Sequence, residues 1–303
     1  MTTIRSQRGQ ATVLTVVFIT ALLGMAALVL DVGAWFRADR ATQSTADAAA
    51  LAGAQQLPYD LGSATTYALQ YADKNGGGVG GSGITFGSDM RANDTITVQV
   101  KRPAPGIFTK LFGFDSIQVG SKATARVADI GEARYVAPIV VRNTHPKLYP
   151  SGCPCFNEQT TLTLGPTGAP GAFGLINLDG SRGGTSPQIL GDWILKGFDG
   201  YLPLGGYYND PGAKFNSSAV QDALQQRLGT ELLFPVYDTL TGEGANASYH
   251  IIGWVGFHLT SFDARGNSGT LTGYFTQVIW DGIQVHSASE TPDYGARSVQ
   301  LIG

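Results

Sequence analysis

Charge is scarce in this chain: charged side chains make up 14% of its 303 residues, and acid and base nearly cancel to a net charge of −3. So small a balance supplies neither a basic stripe nor a polyanion-binding field, which excludes a nucleic-acid partner. Cysteine is almost absent as well. Cys153 and Cys155 flank Pro154, with no third cysteine and no nearby histidine, and this excludes a structural zinc site with four protein ligands. Also missing are G-x-S-x-G, H-E-x-x-H, a Walker-type phosphate loop and a C-x-x-C pair, so no familiar catalytic or redox centre is written in the chain. The four histidines, His145, His250, His258 and His286, are scattered between apolar or turn residues. They read as structural side chains, and no metal, cofactor or catalytic residue is expected.

What the chain does have is one long apolar run. Ala11 to Leu30 reads ATVLTVVFITALLGMAALVL without a charge, about the 20 residues a helix needs to cross a bilayer. Arg5 and Arg8 precede it without an acid, whereas Asp31, Arg37, Asp39 and Arg40 after it cancel. The positive-inside bias therefore puts the N-terminus in the cytoplasm and the remaining body outside the cytoplasmic (inner) membrane. A cleaved secretory signal is the alternative. Signal h-regions are roughly 7–15 residues long and end at a small-residue site, but this run passes without a turn former into DVGAWFRADRATQSTADAAALAGAQQL. A retained single-pass anchor is the expectation.

The alanine-rich continuation predicts one helix from Ala11 to Leu57, closed by Pro58 and ~70 Å long at 1.5 Å per residue. Trp35, Thr42, Ala46, Ala49 and Gly53 form a mostly small-residue stripe along its second half. Such a stripe admits close approach of the protein's own body, or of another copy or a partner's helix. Ser63–Asn75 reads as a second helix with Ser63 as N-cap, stopped by NGGGVGGSG. Strands follow at Ile84 and Thr95–Lys101, a short helix from Pro105, and a strand from Ser116. From Tyr135 the alternating apolar pieces and frequent turns, with 41 glycines in the chain, predict antiparallel β structure. One helix interrupts it at Ser217–Gly229. The fold class is α+β.

Export favours a disulfide between Cys153 and Cys155, with free thiols or an intersubunit bridge as alternatives. Asp179, Asp192 and Asp199 fall in segments read as loops. They offer oxygen ligands but lack a regular calcium-loop spacing, and turn chemistry accounts for them. Trp193, Tyr201, Tyr207 and Tyr208 form either a sugar- or surface-contact patch or part of the core.

The N-terminal stretch resembles the Flp pilus-assembly TadE/TadG-like family. The residues that carry the resemblance are Arg8 and Gly9 before the membrane helix, the D-V-G of Asp31 to Gly33, and the D-A-A-A-L-A-G-A of Asp47 to Ala54, with Ala50, Leu51 and Gly53 within it. The segment Ala68 to Gly76 and the IFTKLFG and SKATARV stretches extend the likeness to about Asp129. The resemblance implies a membrane protein of the tight-adherence pilus, with pilus or secretion machinery proteins or pilin-like subunits as partners and no enzymatic activity. The pattern along the chain divides it into an anchor and extended helix at 1–57, a small α+β module at 58–130, which the resemblance makes pilin-like, and a β-rich extracytoplasmic domain at 131–303. Two departures narrow it. Leu14 stands five residues beyond Gly9, where cleaved prepilins carry a glutamate that pairs with a neighbour's terminal amine. No D-x-S-x-S metal-adhesion motif is present. An assembly role is the leading expectation. The alternatives are an adhesin or ligand-binding module on a tether, self-association through the helix as a filament subunit cleaved at Gly9–Gln10, and a secreted hydrolase.

Overall fold

The computed structural model describes residues 8–303 apart from 107, 114, 150–153, 166–173, 213, 266–267 and 286–291. For residues 8–10, 111–112, 265 and 268 it describes the backbone alone. Cys153, His286 and Arg5 therefore lie outside the described residues. The chain divides into two units, Met1–Arg126 with Gln300–Gly303, and Val127–Val299.

The first unit is built on α1 (Arg8–Ala54), a single helix of 47 residues. With no proline between residues 8 and 54 and only four glycines, nothing in the sequence interrupts it. It is long and apolar enough to cross a membrane. Its two halves meet different surroundings: Leu14, Phe18, Leu23 and Leu30 are exposed, whereas Ala46, Ala49, Ala50 and Ala54 are fully buried. The second helix, α2 (Leu61–Lys74), turns Ala64, Ala68 and Ala72 inward. Its N-cap is Asp60 rather than the expected Ser63. The Asp60 carboxylate accepts the Ser63 N–H at 2.8 Å and the Ser63 hydroxyl at 2.7 Å. A charged acceptor suits the positive end of a helix better than a hydroxyl does, and these bonds hold the Asp60 carboxyl below its ordinary value.

The hairpin of β1 (Val79–Gly87) and β2 (Thr95–Pro105) continues into β3 (Ser116–Ala133), whose first eleven residues pair antiparallel with β2. Ile96, Val98 and Val100 of β2 and Ala123 and Ala125 of β3 are buried. The short helix expected from Pro105 is one 3-10 turn, Thr109–Phe112, closed by Gly113 in the left-handed region. The chain's end belongs to this unit too, because Thr124 donates to the Gly303 carbonyl and Ile302 to the Thr124 carbonyl.

The second unit contains, in order, β4 (Val141–Arg142), β5 (Gln159–Leu164), α3 (Pro187–Lys196), β6 (Leu202–Pro203), β7 (Gly205–Tyr208), α4 (Ser218–Gln226), β8 (Glu231–Thr241), β9 (Ser248–Arg265), β10 (Ser268–Thr276), β11 (Val278–Ile279), β12 (Gly282–Gln284) and most of β13 (Ala296–Leu301). A six-stranded sheet runs β4-β8-β9-β10-β5, with β7 also paired to β9. All of its ladders are antiparallel except β4 with β8. The end of β3 pairs with β12 and β6, and β11 lies parallel to β13. Leu190, Ile194, Val220 and Leu224 of the two helices share one core with Phe234, Phe257 and Phe275 of the sheet. Phe257 stacks on Phe234 at 5.3 Å and meets Phe275 edge-on at 5.5 Å.

The expected helix after Ser217 forms with Ser217 as its N-cap, although it ends before Gly229. The helix α3 was not expected, and it moves Asp192 from a loop onto a helix, where it pairs with Lys196 one turn on. Pro187 and Gly191 make the segment look like a turn. Pro187 sits in the first helical turn, where its missing N–H costs nothing. Gly191 admits α4: a Cβ there would stand 2.7 Å from the Ala219 carbonyl oxygen.

Candidate membrane and assembly interface

The buried half of α1 meets the body of its own unit. A Cβ on Gly53 would lie 2.6 Å from Ile96 Cδ1, 2.9 Å from the Ala64 carbonyl oxygen and 3.1 Å from Ala68 Cβ, so β2 and α2 both approach as closely as a glycine permits. Ala46, Ala49 and Ala50 are buried along the same segment. Polar groups lock the contact. Thr45 donates to the Asn75 carbonyl at 2.8 Å, Thr42 and Ser121 share a hydrogen bond at 2.9 Å, and Arg102 donates to Thr45 Oγ1 at 2.8 Å and to the Asn75 and Gly77 carbonyls. Of the two readings of the small-residue stripe, packing against the protein's own body is the one built here. Asp47 accepts from Gln43 at 2.7 Å on the solvent side, and Leu51 is half-buried. A Cβ at Gly33 would meet nothing within 4 Å.

Where the apolar run ends, Asp31 is 0% exposed between Leu30 and Phe36, which are 53% and 66% exposed. Its carboxylate accepts the N–H of Phe108 at 3.0 Å and that of Thr109 at 2.8 Å. These N–H groups open the 3-10 turn, whose own N-cap residue, Phe108, makes no side-chain cap. Asp31 thus supplies, from 77 residues away in sequence, the anionic acceptor that the turn's positive end favours. Gly106 is required beside it, because a Cβ there would overlap Thr109 Oγ1 at 1.7 Å. The sequence marks Asp31 through its D-V-G motif but carries no such mark at Phe108 or Thr109. The apolar PGIFTKLFG segment was their one signal.

The segment that forms α1 is also where this chain is similar to known proteins. Residues 9–56 match the Flp pilus-assembly TadE/G-like family. The Tad match spans the apolar run, Asp31 and the buried stripe, and it ends two residues beyond α1. No curated protein and no solved structure matches the chain. Arg8, one residue before the matched segment, and Gly9 open α1; within the segment Ala11 and Leu30 bound the exposed apolar half, and Asp31 and Gly53 are two of its points of close contact with the rest of the unit.

The remaining candidates lie in the second unit and do not converge. Cys155 is disulfide-bonded. Asp179 accepts from the Ser181 N–H in a turn, Asp192 pairs with Lys196, and Asp199 pairs with Arg134. Among the described residues no three His, Cys, Asp or Glu side chains gather where they would hold a metal. Of the four aromatics, Tyr207 is buried with its hydroxyl donating to Pro203, and Trp193 packs edge-on against Phe198 at 5.6 Å. Tyr208 carries the Arg182 guanidinium over its ring at 4.6 Å, and Tyr201 is exposed near Arg134 at 5.7 Å. They form no single patch. A polar cluster the sequence did not reveal ties a loop instead. Buried Asp210 pairs with Lys214 and accepts from Thr185, and Thr185 donates to buried Asn177. Burial pushes the Asp210 carboxyl up from its ordinary value against the pull of Lys214.

Two histidines pair with carboxylates, His250 with Asp238 and His258 with Glu231, each at 2.9 Å. The His258 hydrogen bond holds Glu231 below the usual carboxylate range. His145 differs. Its ring meets Phe275 edge-on at 5.2 Å, and Nδ1 accepts the Lys147 N–H at 3.1 Å, a bond only the neutral ring can make at that atom. Burial, with Lys147 nearby, holds its pKa below the ordinary value. The unfolded chain therefore takes up this proton first. The stabilisation is complete above the unfolded pKa of about 6.5 and is lost as pH falls below it. The thermal midpoint of the full chain in detergent is expected to drop on acidification through that range, and His145→Gln is expected to flatten the drop. Equal pH slopes in both proteins would refute this role.

Proposed function

We propose that this chain is a single-pass, membrane-anchored structural or assembly component of a Tad-type pilus or related secretion apparatus. In this reading its N-terminus is cytoplasmic, its body lies outside the membrane, and it has no catalytic role. The observation that carries the reading is the coincidence of the Tad match with α1. The matched residues divide into an exposed apolar half of membrane-spanning length and a half packed on the first unit.

The buried stripe is already occupied within the chain, so the exposed apolar half is what remains on α1 for lipid and partner helices. Leu14 favours an assembly component over a filament subunit, since a filament core that pairs a buried acid with a neighbour's amine has no acid to use there.

The test is crosslinking in native membranes from photoreactive residues at exposed Leu14 and Leu22, followed by mass spectrometry of what is captured. Intact mass and N-terminal sequence of the chain would be read from membranes and from sheared surface material. Pilus or secretion components crosslinked to a membrane chain that begins at or near Met1 are expected. Capture of no such component would count against the assembly reading. A chain beginning at Gln10 in the sheared material would replace it with a filament subunit.

A further inference from the structure

The geometry points to a lipid acyl chain seated in the cleft between α1 and Phe108, which makes the segment around Phe108 a second contact of the first unit with the bilayer. The cleft measures about 480 Å³, and its walls include Thr20, Leu23, Gly24, Ala27, Leu28 and Phe108. Asp31 and Thr109 border it as well. Two of its polar groups are already engaged: the Thr20 hydroxyl donates to the Val16 carbonyl of its own helix at 2.8 Å, and the Asp31 carboxylate accepts the two N–H groups of the turn. What the walls offer an occupant is hydrocarbon. Gly24 and Ala27 supply the recess by withholding side chains.

Depth identifies the occupant. On the proposal above that α1 spans the membrane, Asp31 is the first charge after the apolar run and marks its boundary. Thr20 to Leu28 lie three to eleven residues before it, ~5–16 Å into the hydrocarbon at 1.5 Å per residue. Water is absent at that depth, so an apolar recess is filled by something apolar. Lipid acyl chains are what surrounds α1 at that depth, and a recess of about 480 Å³ walled mainly by small and aliphatic side chains admits one; a partner helix laid across the open side is the competing occupant that the experiment reads. The sequence around Phe108, PGIFTKLFGF, is apolar apart from Thr109 and Lys110. This composition suits the membrane interface, with a lysine able to reach the headgroups.

The experiment places 4-fluorophenylalanine at position 108, or at Phe18 as a reference, in the full chain in zwitterionic nanodiscs. The fluorine line width is read with a nitroxide on the lipid acyl chains and, separately, with a gadolinium chelate in the water. Several-fold broadening of both fluorines by the lipid nitroxide, and of neither by the chelate, is the expected result. Gly24→Leu, which fills the recess without a clash at its Cβ, is expected to cut the lipid broadening at position 108 at least twofold and leave Phe18 unchanged. Broadening of position 108 by the chelate alone would mean the cleft is open to water. Broadening by neither probe would mean that a protein group fills it. Broadening unaltered by Gly24→Leu would mean that the lipid contact lies elsewhere. Each of these three overturns the inference while Phe18 still reports the membrane span. Failure of Phe18 to respond to the lipid nitroxide would overturn the anchor reading itself.

Discussion

Replacing Gly53 with leucine is expected to unfold the first unit. Backbone, not a yielding side chain, stands 2.9 Å from the position of the new Cβ, and Ile96 stands at 2.6 Å on the other side. Leucine adds three further carbons at a place with no room for the first. Overpacking of a tight core costs about 1–3 kcal/mol and sometimes more, and a contact that must separate α1 from both α2 and β2 belongs at or beyond the upper end, about 3 kcal/mol. Gly53→Ala should cost about 1–2 kcal/mol by the same mechanism. Limited proteolysis and thermal unfolding of the detergent-solubilised chain would report the loss. The exposed apolar half of α1 should keep its membrane-spanning length, because its apolar run is untouched. A Gly53→Leu protein as protease-resistant as the parent would mean that α2 is not held against α1.

The Asp31→Ala chain is expected to release the turn at Thr109–Phe112 while leaving the rest of the unit folded. Two backbone donors lose a charged acceptor at a fully buried position. Hydrogen bonds to charged groups contribute about 1.5–3 kcal/mol, and buried donors left unmet cost about 1–3 kcal/mol, so a local penalty of about 3 kcal/mol is reasonable. At 1.4 kcal/mol per tenfold change, tryptic cleavage after exposed Lys110 should speed up by ~100-fold. Asp31→Asn, which keeps one acceptor oxygen without the charge, should fall between. An unchanged cleavage rate in Asp31→Ala would show that the carboxylate does not hold the turn.

How far the sequence reveals this architecture depends on whether the cause is local. The continuous α1 is legible because a long stretch of apolar and small residues without proline has one backbone solution. The β-rich second unit is legible because strand alternation repeats along it. The helix α3 is hidden because its Pro187 and Gly191 are turn residues by local rules, and only the approach of Ala219 explains the glycine. Ser63 was a reasonable cap, yet Asp60 wins because its carboxylate reaches both the N–H and the hydroxyl of Ser63. At the candidate interface the sequence marks Asp31 and Gly53 but not their partners. Phe108 and Ile96 reach them only through the tertiary fold, and nothing in their own neighbourhood announces it. The tyrosines after Gly200 were ambiguous for the same reason, and the fold separates buried Tyr207 from exposed Tyr201.

The unbroken backbone of α1 makes the first unit a lever. About 36 Å of stiff helix lies between Asp31 and Ala54, and α2 and β2 are fastened to its far part. Membrane helices adjust their tilt to bilayer thickness and to their neighbours. With α1 in the bilayer as proposed, a tilt change of ~10° would swing the fastened end by ~6 Å, so lateral events inside the membrane would reach the far end of this helix as displacement, without a conformational change in the fold that carries them.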